Sequence, residues 1–352
     1  MKTSNLQNTE QIGINLYKDI CQIIEKTRGR MSSSVNMELT LMYWNIGDRI
    51  NHDILGLERA AYGKQIVATL SRQLTEEYGT GFDEKSVRRM MQFPTLFPDF
   101  QIVATLSRQL PWSHFKEIMP TKDPLAREFY ATMAATERWS VRELRKQIDG
   151  MMYERMLISQ KPEEAIRTEL AELRDHHTMT PDLVFKSSYF LEFTGLKGYY
   201  NERNLEDMLI TGMQQFLMEL GNGFSFIDRQ KRIIVDGEDY YIDLLFYHRK
   251  LRRLVVIELK RTRFKAAYKG QMELYLRWLD RYERQEGEES PIGLLLCAEG
   301  GNEEIELLQL DESGIKVAQY YTELPDRKLL KSQLQKQLTI ARKRIEDKLS
   351  EK

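Results

Sequence analysis

Apolar residues crowd into two short runs in the second half of the chain. One is Tyr240-Tyr241-Ile242-Asp243-Leu244-Leu245-Phe246-Tyr247 and the other is Leu254-Val255-Val256-Ile257-Glu258-Leu259-Lys260. Both are short and rich in β-branched or aromatic residues, which predicts buried strands. The link His248-Arg249-Lys250-Leu251-Arg252-Arg253 is short enough for a hairpin. With its turn centred on Lys250-Leu251, Asp243 comes directly opposite Glu258.

Elsewhere the pattern has helical spacing. Leu205, Leu209, Met213, Phe216, Leu217 and Leu220 form one stripe, with Asn204 as the expected N-cap and Gly221 as the stop. A second helix is expected from about Ala266 to Tyr282. It puts Gln271 and Tyr275 one turn apart, with Gly270 expected to let it approach the sheet closely. Before residue 160 the chain reads as helices throughout. Asp123-Pro124 is an N-cap followed by proline at the first helical position, and Ser140-Val141-Arg142-Glu143 is a capping box. Trp44, Trp112 and Trp139 are expected core anchors. Breakers at Lys161-Pro162 and at His176 to Pro181 flank an expected connecting helix, Glu163 to Arg174. The expected organisation is a helical domain over 1–160, a linker over 161–188, a mixed α/β domain over 189–325 and an amphipathic helix over 326–352.

Two features of the helical half bear on its role. Gln65 to Leu74 recurs word for word at Gln101 to Leu110. One ten-residue copy is too little for a solenoid, so it marks a local duplication or two helices of similar packing role. Between Tyr62 and Phe93, two helices are separated by Gly79-Thr80-Gly81-Phe82. The second carries Lys85, Arg88 and Arg89 near its start, as in a helix-turn-helix with a basic reading helix. An ordinary helical hairpin with a charged face fits the same spacing.

The chemistry concentrates on the hairpin. Like charges on directly opposed strand positions repel, so Asp243 and Glu258 among apolar residues call for a cation. Mg²⁺ takes oxygen ligands of this kind. Lys260 lies two positions after Glu258 and shares its face. Two carboxylates and an ammonium suit metal-assisted phosphodiester cleavage: the metal polarises the phosphoryl group and acidifies water, and the lysine orients that water or stabilises transition-state charge. Alternating charge on an exposed strand also produces Glu-x-Lys, but the run before Glu258 is too apolar for that. Glu206 borders the helical stripe and could lean into the same site, or be a solvated first-turn carboxylate favoured by the helix dipole. Gln271 could line the site or be a surface polar residue.

The net charge of −1 gives no overall attraction for nucleic acid, but the distribution of charge does. From Arg229 to Lys269 there are 12 Lys/Arg against 5 Asp/Glu, and two of those acids are Asp243 and Glu258. Positive charge around the carboxylates would hold a polyanionic backbone. No run approaches a membrane span, and the N-terminus lacks a signal-peptide apolar region. Cys21 and Cys297 are too far apart in sequence to suggest a disulfide framework or zinc site. A cytoplasmic location is expected.

Phe216-Leu217-Met218-Glu219-Leu220-Gly221, Asp228-Arg229-Gln230, Tyr241 to His248, Ile257-Glu258-Leu259-Lys260, Gly270-Gln271-Met272 and Gly293 to Cys297 follow one another in an order that resembles the PD-(D/E)XK nuclease superfamily, and more closely its YhcG-type family. The resemblance implies a restriction-endonuclease-like fold with Asp243, Glu258 and Lys260 as catalytic core. Glu206 and Gln271 correspond to an auxiliary acid and a helix glutamine. The superfamily's proline before the aspartate is replaced by Ile242. The first half is also similar to that family's N-terminal domain, at Trp112-Ser113-His114 and Trp139 to Leu144, which implies DNA or partner binding. The expected function is a metal-dependent endonuclease acting on DNA with Mg²⁺, for which Mn²⁺ can substitute. Lys85, Arg88, Arg89, Arg229, Lys231, Arg261 and Arg263 are the candidate nucleic-acid-binding residues. Two alternatives remain open: a nucleic-acid-binding protein without turnover, and a protein-interaction subunit of a defence or repair assembly. Self-association is also left open.

Overall fold

Helical spacing before residue 160 and strand spacing after it are both realised in the computed structural model. It describes residues 15–24, 35–55, 60–157, 163–299, 305, 308, 310–323 and 332. Packing divides the chain into two compact units, residues 1–148 and 149–352. The amphipathic helix expected over 326–352 lies outside the described residues, apart from position 332.

The described part of the first unit contains α1 (residues 15–24), α2 (Val35–Leu55), α3 (Ala60–Tyr78), α4 (Glu84–Leu96), α5 (Phe100–Ser107), α6 (Trp112–Ile118), α7 (Pro124–Glu137) and all but the last residue of α8 (Val141–Asp149). The caps form as expected. Asp123 accepts from the Leu125 N–H at 2.9 Å with Pro124 in the first turn, and Ser140 and Glu143 exchange bonds of 2.7 and 3.2 Å. Trp44 and Trp139 are buried; Trp112 is partly buried against the rings of Tyr43 and Phe93.

The repeated decapeptide plays one packing role twice. Val67, Leu70, Ser71 and Leu74 are buried in the first copy, and Val103, Leu106, Ser107 and Leu110 in the second. Their helices end differently. α3 runs on to Tyr78, whereas α5 stops at Ser107 because Pro111 biases the residue before it away from helical backbone.

α3, the 3₁₀ turn Thr80–Phe82 and α4 form the expected helical pair, with Asp83 capping α4. Phe82, Val87 and Met90 point inward. α4 lies so close to α2 that a Cβ on Gly47 would sit 1.8 Å from the Met90 carbonyl oxygen. Gly→Ala inside a helix normally gains about 1 kcal/mol. Gly47→Ala is expected instead to destabilise by about 1–3 kcal/mol, because backbone must move. Urea melts check this, and an unchanged or higher midpoint would contradict so tight a crossing.

The second unit opens with α9 (Met152–Leu157) and α10 (Glu163–His176) and is built on a mixed six-stranded sheet. Its strands are β1 (Ser188–Phe190), β2 (Phe224–Val235), β3 (Glu238–His248), β4 (Arg253–Arg263), β5 (Ile292–Glu299) and β6 (Ile315–Tyr321), in the order β1-β6-β5-β4-β3-β2. The β2–β3 and β3–β4 pairs are antiparallel, and the β4–β5, β5–β6 and β1–β6 pairs are parallel. The hairpin has the expected register, pairing Leu244 with Ile257 and His248 with Arg253.

α11 (Glu202–Thr211) and α12 (Met213–Leu220) bury Leu205, Leu209, Phe216 and Leu220 against one face, with Leu244, Phe246, Val255 and Ile257. α13 (Ala267–Tyr282) covers the other, packing Met272, Tyr275 and Leu279 with Ile242, Leu245 and Val256. Three expectations are corrected. The helix expected from Asn204 is two helices broken at Gly212, where the Phe193 ring lies 2.7 Å from the position a Cβ would take. Its N-cap is Asn201, which exchanges bonds of 2.7 and 3.0 Å with Asn204, although Gly221 does end it. The glycine that lets α13 approach is Gly293 on β5, whose Cβ would meet Met272 at 2.4 Å; nothing lies within 4 Å of a Cβ on Gly270. Cys297 is buried, and burial pushes its thiol up to about 12.

Candidate active site

The β3–β4 ladder ends at Leu244 and Ile257. Beyond it, two side chains complete the backbone bonding. The Asp243 N–H donates to Glu258 Oε1 at 3.1 Å, and the Leu259 N–H donates to Asp243 Oδ2 at 2.9 Å. Strict alternation would put Ile242 and Leu244 on one face, yet Ile242 packs towards α13 and Leu244 towards α11. The face changes at Asp243, where the strands part.

Glu258 is 2% exposed. Lys260 Nζ lies 3.0 Å from Glu258 Oε2 and 5.4 Å from the centre of the Tyr268 ring. Burial and then the Asp243 charge push the Glu258 carboxyl up to about 7, against the pull of Lys260 and the Asp243 N–H. Burial also raises Asp243; the Leu259 N–H and Lys260 oppose that rise and Glu206 adds to it. Burial works against the Lys260 charge, but Glu258 and Asp243 outweigh it and raise the ammonium.

Glu206, on α11, is buried rather than a solvated first-turn acid. Its carboxylate accepts from Arg229 Nε, and from Gln230 Nε2 at 2.6 Å. The same Gln230 nitrogen donates to Asp243 Oδ1 at 3.1 Å. Gln230 is the site residue that sequence reasoning missed. A glutamine between two basic residues on a strand reads as solvated. Here a bulge near Phe226/Asp228 precedes it, and its own left-handed backbone, φ 50°, accompanies the turn of its amide onto the acids.

Gln271 donates to the Tyr275 hydroxyl at 2.7 Å, and that hydroxyl donates to the Tyr241 carbonyl at 3.0 Å. Gln271 is thus tied through Tyr275 to the β3 backbone at Tyr241. Arg229 is engaged by Glu206 and Asp207, and Lys231 pairs with Glu283 at 3.1 Å, so both face acids. The Arg261 guanidinium lies over the Tyr199 ring, and Arg263 is exposed at the end of β4. In the first unit, Lys85, Arg88 and Arg89 line an open concavity with Glu84 and Gln92, and Arg88 bonds Glu84 at 2.6 Å.

Asp243 and Glu258 are hard oxygen donors held side by side, with the ionisation of both disfavoured. That suits Mg²⁺, which takes one or two carboxylates and fills its remaining positions with water and phosphate oxygens. Among the described residues no group of three or more His, Cys, Asp or Glu forms a closed metal cage.

A mixed sheet covered on both faces, with an acidic pair and a lysine on adjoining strands, places the second unit in the PDDEXK nuclease class. The family model described as the YhcG PDDEXK nuclease domain matches residues 182–339, and the DUF1016 N-terminal domain matches residues 19–155. The YhcG protein of Escherichia coli (strain K12) is 32% identical over 350 residues, covering 91% of this chain and 92% of that one. The chain belongs to the YhcG family of PDDEXK nucleases. Two solved structures are also similar. One is a repair endonuclease from Pyrococcus abyssi, 20% identical with a TM-score of 0.27, covering 36% of this chain and 50% of that one. The other is an EndoMS-dsDNA complex, 18% identical with a TM-score of 0.27, covering 37% of this chain and 51% of that one.

Proposed function

We propose that the chain is a cytoplasmic, Mg²⁺-dependent DNA endonuclease, with Mn²⁺ as a substitute, targeted by its helical first unit. The observation that carries this reading is the Asp243–Glu258 pair, two carboxylates turned together where the strands part, with the Lys260 ammonium 3.0 Å from Glu258. Asp243 and Glu258 would hold the metal; when bound, it polarises the phosphoryl group and lowers the pKa of water. Lys260, kept charged by its acidic neighbours, stabilises negative charge developing on the phosphate. Gln230, with Glu206 behind it, orients Asp243. Gln271 steadies Tyr275 and, through it, the β3 backbone at Tyr241. Arg261 and Arg263 hold the polyanion beside Lys260. Arg229 and Lys231, matched to acids, contribute to that potential less than their sequence positions suggest.

The test is incubation of the full chain with supercoiled, linear, branched and single-stranded DNA and with RNA, in Mg²⁺, Mn²⁺ or EDTA. Metal-dependent DNA cleavage that is lost in Glu258→Gln supports the reading. No cleavage in either metal, or cleavage of RNA alone, overturns it.

In the first unit, Lys85, Arg88 and Arg89 bind DNA phosphates, with Arg88 exchanging Glu84 for phosphate. Removing one phosphate-binding side chain lowers the slope of log affinity against log salt by about one. The triple alanine variant is therefore expected to bind duplex DNA more weakly and with a shallower slope. Unchanged affinity and slope in gel shifts would remove α4 from the interface.

A further inference from the structure

Lys260 is followed on β4 by a cation stacked on aromatic rings. The Arg261 guanidinium carbon lies 4.3 Å from the centre of the Tyr199 ring and 5.7 Å from that of Tyr200. Tyr199 is 90% exposed. The group has an anchored base. The Arg261 N–H donates to Glu202 Oε1 at 3.1 Å, and the Tyr200 hydroxyl donates to that of Tyr320 on β6 at 3.4 Å. The loop carrying Tyr199 turns through left-handed backbone at Gly195 and Gly198. Glu202, which accepts from the Arg261 backbone N–H, stands at the start of α11, the helix that also carries Glu206.

The chemistry of this group selects a ligand. A guanidinium carries five donors, so one that stacks on a ring and also bonds the Tyr199 hydroxyl retains N–H groups to meet phosphate. An exposed aromatic face stacks on a nucleobase of any identity. Inside a duplex, base faces are covered by neighbouring base pairs and only their edges reach the grooves. A ring and a guanidinium side by side therefore recognise a nucleotide whose base is unpaired.

We propose that Tyr199 and Arg261 form a stacking subsite for an unpaired nucleotide next to the cleaved bond. It makes the preferred substrate DNA with a single-stranded segment at the cut, such as an overhang, flap or branch, rather than uniform duplex. This deepens the nuclease reading and rests on it for the bond that is cut, but not for the binding.

The binding is measured on the full chain in EDTA, by fluorescence anisotropy with labelled oligothymidylate of about 15 nucleotides and a blunt duplex of similar length. Tyr199→Ala is expected to weaken single-strand binding about tenfold and to leave duplex binding unchanged. Tyr199→Trp restores the single-strand affinity, and Arg261→Lys, which keeps charge without the planar stack, does not keep the wild-type value. Wild-type single-strand affinity in Tyr199→Ala, equal weakening on both probes, or no recovery in Tyr199→Trp overturns the subsite. With Mg²⁺ added, a forked substrate separates this failure from failure of the nuclease reading. Cleavage whose preference for the fork over duplex is the same in wild type and Tyr199→Ala leaves the nuclease and removes the subsite. Absence of any cleavage, with the binding pattern intact, leaves the subsite and removes the nuclease.

Discussion

Asp243→Asn is expected to lower cleavage by about 10³-fold or more and to remove most of the metal-dependent rise in melting temperature. Asp243 and Glu258 meet where the ladder ends, and each accepts a backbone N–H beside the other. Without metal, burial and mutual repulsion make two ionised carboxylates unfavourable there. Asparagine keeps an oxygen for the Leu259 N–H and removes one charge, so the metal-free variant should be no less stable than wild type. A ligand of the folded state stabilises it by mass action, about 2.7 kcal/mol at a hundredfold excess over Kd. Wild type should gain that stabilisation from Mn²⁺ and Asp243→Asn should not. Lys260→Ala separates the roles. It removes the ammonium 3.0 Å from Glu258 and leaves both carboxylates, so the metal-dependent shift survives while turnover falls. Calorimetric titration of the three proteins with Mn²⁺ decides it. Equal binding by wild type and Asp243→Asn would rule out Asp243 as a ligand.

The hairpin that carries this site is legible in the sequence because its turn and its apolar runs admit one register, and that register is found. Opposition of Asp243 and Glu258 follows from it. What pattern does not supply is the turn of the strands around them. Period-2 reading fails at Asp243 because side-chain bonds replace the ladder there, and Gln230 enters through a bulge and a left-handed residue that no local composition announces. Glu206 is ambiguous in sequence for a related reason: whether a helix acid at the border of an apolar stripe is solvated depends on what faces it, and here Gln230 and Arg229 do. The break at Gly212 is hidden because the apolar stripe continues through it; the ring of Phe193, from outside both helices, makes a glycine fit there. Gly270 and Gly293 illustrate the same limit. Either glycine could mark a helix–sheet approach, but close approach is a property of the partner, Met272, which lies against Gly293. Lys85, Arg88 and Arg89 are legible as a basic face, since Val87 and Met90 have to point inward.

The other large effect expected lies away from the acids. Glu219, on α12, takes the guanidinium of Arg155 from α9 and stands 3.5 Å from Lys186 Nζ. The Arg155 and Lys186 side chains are 2% and 1% exposed. The Phe190 N–H of β1 donates to the same Glu219 oxygen at 3.1 Å, and the backbone carbonyl of Glu219 accepts from Lys186. One carboxylate thus joins α9, α12 and β1. Burial works to raise it, but Lys186 and Arg155 prevail and hold it below the ordinary carboxylate range. Glu219→Ala leaves two buried cations facing each other without that carboxylate, and breaking such a cluster costs about 3–5 kcal/mol. Glu219→Gln keeps an acceptor for the Phe190 N–H and should lose less than Glu219→Ala. The sign with pH follows: a carboxyl lowered by folding contributes stability that is present above its unfolded pKa and lost as pH falls through the folded one. Acid should therefore narrow the gap between wild type and Glu219→Ala. Urea unfolding of the full chain, at neutral pH and again near pH 4, reads both effects. A neutral-pH difference under about 1 kcal/mol would mean that water or other partners satisfy Arg155 and Lys186 without Glu219, and that the carboxylate is not the structural tie.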